Sequence, residues 1–322
     1  MSVQTTDCRN AARILAKCFG FYLPSVYKVA SRVYSLVRKK SQPLSVPQSG
    51  RKPRQVSCKL SFGDFVGVLG DWGVKEGDTI MAHSSWDALA PVMSSIREFL
   101  ASLLQAVGDS GTLCMPVFPL LKEDDHDAVF SVMRTPSSSG IVTEVFRRMS
   151  GVKRSLQMRS VAAIGPRAEY LINDHHKSPF ANGVNSPYAR FADIGAKVLC
   201  LGVPPTTNTM FHCGEDILKG LFPVSIYPAR PSVFSVLDEQ DRLLKVECFR
   251  MLWKWSFVCN SESILKYFSA EAIEYKNICG IECSLTYADR FLSCLLELAN
   301  NGVHMYRLRS QLDALGMRRR RA

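Results

Sequence analysis

Two spacings of apolar residues organise the chain from about residue 60 onward. In "SFGDFVGVLGDWGVKEGD" (61–78) a serine precedes apolar residues at helical spacing and glycines close the run, which predicts a capped helix. "TIMAHSSW" (79–86) is a short apolar run ending in small polar residues and predicts a buried strand. "SIREFLASLLQAVGDSG" (95–111) predicts an amphipathic helix closed by Gly108, and "TLCMPVFP" (112–119) a strand stopped by Pro116 and Pro119. "SGIVTEVFRRMSG" (139–151) predicts another helix; "SVAAIG" (160–165) and "AKVLCLGV" (196–203) predict two more strands. The last is almost wholly apolar, as a strand covered on both faces must be, so it belongs at the centre of a sheet. Strands alternating with helices predict an α/β fold, a layered α/β/α domain around a central mixed sheet. "SIYPARPSVFSVLDEQDRLLKVECFRMLWKW" (225–255) alternates about "DEQDR" and predicts an antiparallel hairpin, and 284–317 returns to helical spacing. Polar residues follow strand ends at 83–85 and 203–209, where open sheets build their sites.

The first 55 residues have a different texture. Ala11, Ile14, Leu15 and Cys18 share one helical face; Val26, Val29, Val33 and Leu36 share another, with Pro24 breaking the run. Basic residues fill the remaining faces, so 8–38 is a candidate for contact with a membrane surface or a partner groove, against the plainer reading of an extension packed on the body. "KKSQPLSVPQSGRKPR" (39–54) reads as a linker. The expected organisation is therefore a basic helical extension and linker (1–55), one domain (56–317) and a basic tail (318–322).

Charge follows the same division. The 322 residues carry a net +11, yet residues 1–60 alone contain twelve Lys/Arg against one acid, Asp7. Arg318 to Arg321 add four more positive charges, leaving a mildly acidic body that suits a cationic substrate better than nucleic acid. Eleven cysteines without a CxxC spacing read as reduced thiols, core or surface, in a reducing compartment. No apolar run reaches ~18 residues, so no spanning helix is expected, and Arg13, Lys17 and Lys28 interrupt any secretory signal. The expected location is cytoplasmic, with or without peripheral membrane contact.

One cluster invites chemistry. In "TNTMFHCGEDIL" (207–218), His212 and Glu215 stand three apart, so on a helix both side chains point the same way. This is an acid–base pair, half a metal site, or a helix start with Asp216 near the positive dipole end. HExxH is absent and two ligands do not hold zinc, so no metal is expected. His175 and His176 lie in a loop after a helix. "LKEDDHD" (121–127) is an acidic cleft wall or an exposed loop, and "SSSG" (137–140) opens a helix whose N–H groups are candidates for phosphate.

Taken in order, "TIMAHSSW", "GTLCMPVFP", "RTPSSSGIVTEVFRRMSGVKRS", "SVAAIGPRAEYL" and "DHHKSPFANGVNSPYARFADIGAKVLCLGVPPTTNTMFHCGED" resemble the aminoglycoside 3-N-acetyltransferase family over roughly 60–280. The resemblance implies an antibiotic-acetyltransferase-like fold and direct transfer of an acetyl group from acetyl-CoA to an amine of an aminoglycoside or other amino sugar. It implies a small-molecule amine as partner, no nucleic acid and no metal. The family's loop histidine stands ten residues before the serine of an "SP" pair; here that serine is Ser186, which points to His176 as general base. The altered segment "SPFANGVNSP" leaves His175 as the alternative. HxxE is carried by His212 and Glu215, with Glu215 charging a histidine and His212 its partner or a pocket residue. His83, Ser84 and Ser85 match the element beside the thioester, and Arg154 with Ser155 matches an "RS" pair expected at a CoA phosphate. The chain departs from the family at "RSLQMRS", where Gln157 and Met158 replace the usual His-Pro. A non-catalytic binding protein on the same fold is the alternative function.

Overall fold

A computed structural model describes residues 58–121, 128–252, 255 and 259–306. The extension 8–38, the linker, most of the acidic loop 121–127 and the arginine tail lie outside them. Contacts group residues 55–251 and 260–322 into one compact unit, and 1–54 with 252–259 into another. Of the second unit, the Trp255 backbone N–H donates to the Leu252 carbonyl at 2.9 Å. The larger unit contains everything that follows.

The first helix, α1 (Phe62–Asp71), starts where the serine predicts. Ser61 and Asp64 form a reciprocal capping box, and Phe65 and Leu69 turn inward. β1 (Thr79–Ser84) follows, then α2 (Ile96–Val107), capped by Ser95 on the Glu98 N–H and closed by Gly108 at φ 64°. β2 (Thr112–Pro116), β3 (Val129–Ser131), α3 (Ile141–Phe146), β4 (Lys153–Arg154) and β5 (Val161–Ile164) come next. α4 (Pro187–Asp193) leads into β6 (Lys197–Leu201), and α5 (Cys213–Leu218) follows the loop after it. β7 (Ser232–Leu237) and β8 (Leu243–Cys248) form the predicted hairpin, with Asp238 accepting from the backbone N–H groups of Gln240 and Arg242 at the turn. β9 (Ile273–Ile278), β10 (Ile281–Tyr287) and α6 (Ala288–Asn300) complete the described chain.

Seven strands make the main sheet in the order β4-β5-β2-β1-β6-β10-β9. β2, β1 and β6 run parallel; β5 pairs antiparallel with β2, and β10 with β6, so the sheet is mixed as expected. β6 has neighbours on both sides, which its apolar sequence required. β3 joins β7 and β8 in a smaller three-stranded sheet. One expectation is corrected here: 284–287 is strand, and the helix begins only at Ala288.

Alternation divides the main sheet into two faces. Ile80, Ala82, Leu113, Met115, Leu199, Leu201 and Leu285 join a core with Phe65, Leu69, Phe99 and Leu103 of α1 and α2. Each of these side chains larger than alanine contributes about 1.5–3 kcal/mol relative to exposure. Met81, His83, Cys114, Cys200 and Ser284 point to the other face, where Tyr188 of α4 lies near Cys114 and Cys213. At the carboxyl end of β6 the chain must turn sharply toward that face. Gly202 does this at φ 69°, where a Cβ would come within 2.6 Å of the Ala88 Cβ.

The cysteine expectation is also corrected. Cys58 and Cys279 form a disulfide across 221 residues, tying the start of the domain to the β9–β10 turn, with Cα atoms 5.6 Å apart. Cys114, Cys200, Cys213, Cys248, Cys283 and Cys294 are unbridged. No described helix is long and apolar enough to cross a membrane.

Candidate active site

The loop after β6 is built in short steps. Asn208 accepts from the Met210 N–H at 3.0 Å and starts a tight 3₁₀ turn, Thr209–His212, that runs directly into α5. His212 therefore sits at the threshold of the helix and Glu215 in its first turn. Their side chains meet: His212 Nδ1 lies 2.8 Å from Glu215 Oε1. The Glu215 carboxylate is 2% exposed, whereas the His212 side chain keeps 21% exposure. A carboxylate only accepts, so Nδ1 carries a proton toward Glu215, and the neutral form of the ring holds its lone pair on Nε2. The Tyr306 hydroxyl also donates to Glu215 Oε1. Tyr306 lies 94 residues from His212 with no spacing to announce it, and the sequence reading places it only in a helical stretch.

Beside this pair lies a second buried acid. Asp216 accepts from the Asn182 N–H (2.7 Å), from Asn182 Nδ2 (2.9 Å) and from the Tyr227 hydroxyl. Burial, and then the neighbouring Glu215 charge, push its carboxyl up to about 6. Asn182 comes from the "SPFANGVNSP" segment and Tyr227 from the stretch before β7, so this acid ties two loops to α5.

The two loop histidines divide sharply. His175 is fully buried, with Nε2 2.7 Å from the Ala181 carbonyl and Nδ1 2.8 Å from the Ser155 hydroxyl. The carbonyl fixes the proton on Nε2, and the serine occupies the lone pair on Nδ1. Burial depresses its pKa to about 4, so the ring is neutral. With both nitrogens engaged, His175 is removed as a candidate base. Ser155 is accounted for as well, since its oxygen also accepts from the Val161 N–H at 2.9 Å. His176 is half-buried in the turn formed by Asp174 at φ 61° and the Asp174–Lys177 ion pair, and it makes no hydrogen bond with His212 or Glu215. Burial is the main influence on its pKa, in the downward direction.

Two expected phosphate contacts are corrected. The Arg154 guanidinium is buried and donates to the carbonyls of Val117 (2.7 Å), Thr135 (2.7 Å) and Val132 (3.3 Å) and to Ser160 Oγ (3.2 Å), while stacking over Phe130 at 4.6 Å. It joins the main sheet to the small one and has no fork left for a phosphate. In "SSSG", the Ser137 N–H donates to Glu144, the Ser138 N–H to the Phe118 carbonyl and the Ser139 N–H to Ser137 Oγ.

At the end of β1 the picture is different. His83 is 4% exposed, its pKa is lowered to about 4 by burial, and among the described residues its Nε2 has no hydrogen-bond partner; nor has the buried Ser84 hydroxyl. The Ser85 N–H is taken by the Leu201 carbonyl. Buried polar atoms without partners are costly. Successive strand side chains point to opposite faces, so His83 and Ser84 are not one site; the His83 ring, on the face shared with Tyr188, fits a polar ligand such as the amides of an acyl-CoA arm. Among the described residues, no group of three or more His, Cys, Asp or Glu is placed to hold a metal.

Comparison with known proteins agrees with this architecture. The family model described as aminoglycoside 3-N-acetyltransferase matches residues 81–298. Aminoglycoside N(3)-acetyltransferase IV of a Salmonella species is 34% identical over 156 residues, covering 48% of this chain and 59% of that protein. Aminoglycoside N(3)-acetyltransferase VIII of Streptomyces fradiae is 30% identical, covering 48% and 60%. The chain thus spans somewhat over half the length of these relatives. Among solved structures, a histidine-to-alanine mutant of aminoglycoside acetyltransferase AAC(3)-IVa in complex with a gentamicin superposes with a TM-score of 0.64 at 24% identity, covering 79% of this chain and 94% of that one. AAC-IIIb in binary complex with CoASH gives 0.64 at 19% identity, covering 76% and 98%.

Proposed function

Because the chain belongs to the aminoglycoside 3-N-acetyltransferase family, we propose that it transfers an acetyl group from acetyl-CoA to a primary amine of an aminoglycoside or other amino sugar, with His212 as general base. The observation that carries this reading is the His212–Glu215 pair: a partly exposed imidazole held at 2.8 Å by a buried carboxylate.

The roles follow from the donors and acceptors. Glu215 fixes the His212 tautomer and stabilises the imidazolium that forms, as the carboxylate of a triad does. The Tyr306 hydroxyl holds Glu215 in place. His212 Nε2 takes the proton from the acceptor nitrogen as that nitrogen bonds to the acetyl carbon. The C–S bond breaks, and the imidazolium returns the proton to the departing thiolate. The thioester supplies an activated acetyl group, so no covalent enzyme intermediate is needed. His83 is the candidate for the donor side, since its buried Nε2 lacks a hydrogen-bond partner among the described residues. This reading moves the base from His176 to His212.

The direct test is thiol release from acetyl-CoA across a panel of amines, with the product identified by its acetyl mass. Release with an aminoglycoside or amino sugar, and none without acceptor, supports the proposal; no release with any amine refutes it.

A further inference from the structure

Asn208 starts the turn that carries His212 with only half of its amide. The Met210 backbone N–H can only donate, so the Asn208 oxygen faces it at 3.0 Å and the NH2 end points elsewhere. Asn208 is 2% exposed, and its Nδ2 is buried without a hydrogen-bond partner among the described residues. The surroundings of this residue are informative. Its backbone N–H lies against the Cys200 thiol. Cys200 is the register partner of His83 on the neighbouring strand, so those two side chains share one face of the sheet, one strand spacing of about 5 Å apart. In the other direction the 3₁₀ turn runs four residues, roughly 8 Å, to His212. Asn208 therefore stands between His83, on the donor side, and the base that receives the proton.

From this placement we infer that Asn208 is a catalytic residue: its side-chain NH2 donates to the thioester oxygen of the acyl donor and holds the negative charge that develops there. The inference rests on the acetyl-transfer reading. As the acceptor nitrogen bonds to the acetyl carbon, one electron pair of the C=O bond moves onto oxygen. When the C–S bond breaks, that pair returns, and the thiolate takes the proton that His212 removed from nitrogen. An N–H already fixed in place binds the charged oxygen more strongly than the neutral one, which is what lowers the barrier. The spacing suits both contacts. A base about 3 Å from the attacking nitrogen and a donor about 3 Å from the oxygen stand at the two ends of one short turn. The Asn208 oxygen shapes the turn that presents the base, and its nitrogen meets the charge created by the attack that the base assists.

The test uses Asn208→Asp, which keeps an oxygen for the Met210 N–H and removes the side chain's N–H donors. Asn208→Ser supplies a neutral cap that also lacks the amide, and it is read in the same way if the aspartate unsettles the turn. Each should lower kcat by about 10²–10³, while KM for acetyl-CoA and the affinity for CoA stay within a few-fold of native. A structural role alone would not move the second readout, the infrared carbonyl stretch of acetyl-CoA labelled with 13C at the thioester and bound without acceptor. Binding to the native protein should shift the band to lower frequency. Asn208→Asp should abolish that shift, and His212→Ala should retain it, since the base does not touch the oxygen. An amine acetylated by a native protein that leaves the band unshifted, or by an Asn208→Asp protein with native kcat, would overturn the inference and leave the reaction standing. A band shifted through Asn208, with no amine acetylated, would sink the reaction and spare the oxygen contact. Absence of acetyl-CoA binding overturns both.

Discussion

The carboxylates of Glu215 and Asp216 are neighbours in the chain and in the interior, yet each is held by its own two residues. Glu215 takes His212 and Tyr306; Asp216 takes Asn182 and Tyr227. Two buried acids side by side separate into two functions by their partners. One keeps a partly exposed histidine aimed and in a single tautomer, and the other fastens loops to the helix that carries both.

Tyr306→Phe isolates the hold on Glu215. The ring and its packing on Phe222 remain, and only the hydroxyl is lost. Turnover should fall roughly tenfold, the worth of about one net hydrogen bond, while melting temperature and CoA affinity change little. Equal turnover in the two proteins would mean that Glu215 needs no such support.

Acid stability should show two opposing titrations. His175 is neutral in the folded protein down to about 4, whereas an unfolded histidine protonates near 6.5. The unfolded state binds more protons between those values, so this residue's contribution is complete above 6.5 and lost as pH falls toward 4. Asp216, raised to about 6, has the opposite sign: its contribution is complete below about 3.8 and lost as pH rises through 6. Asp216→Asn should therefore steepen the fall in melting temperature from pH 6.5 to 4, and His175→Gln should flatten it. The reverse pattern would contradict the buried environments assigned to both.

Arg154→Lys separates architecture from cofactor binding. A lysine cannot reach four acceptors at once, and buried carbonyls left unpaired cost about 1–3 kcal/mol each. The variant should melt at a clearly lower temperature, yet bind CoA within about twofold when measured well below that temperature. A large loss of CoA affinity in a stable variant would return Arg154 to the phosphate.

Reduction of the Cys58–Cys279 bond frees the ends of a long loop. A loss of about 2–4 kcal/mol is expected, read as a lower melting temperature in dithiothreitol. Cys58→Ser with Cys279→Ser should reproduce it and abolish any further effect of reductant. An unchanged melting temperature in both would remove the disulfide from the stability of the fold.

Periodicity carried the layered architecture because burial enforces it: β6 is apolar on both faces and central, and α2 is amphipathic between a serine cap and Gly108. The β10–α6 junction was misread because no glycine or proline marks it; Tyr287 is extended and Ala288 is already helical. His212 and Glu215 were legible since three residues of helix fix their meeting. Tyr306, Asn182 and Tyr227 were not, because tertiary packing alone brings them to α5. Arg154 and His175 misled for one reason. A charged or titratable side chain in a promising motif also serves as a buried hydrogen-bonding post, and only its partners reveal which it is.

The assignment of His212 as base is tested most directly by comparing His212→Ala with His176→Ala in thiol release from acetyl-CoA, using an acceptor that the native protein acetylates. The account predicts that His212→Ala lowers kcat by about 10²–10⁴ with CoA affinity retained, while His176→Ala stays within a few-fold of native. A His212→Ala protein that turns over normally, beside an inactive His176→Ala, would contradict it.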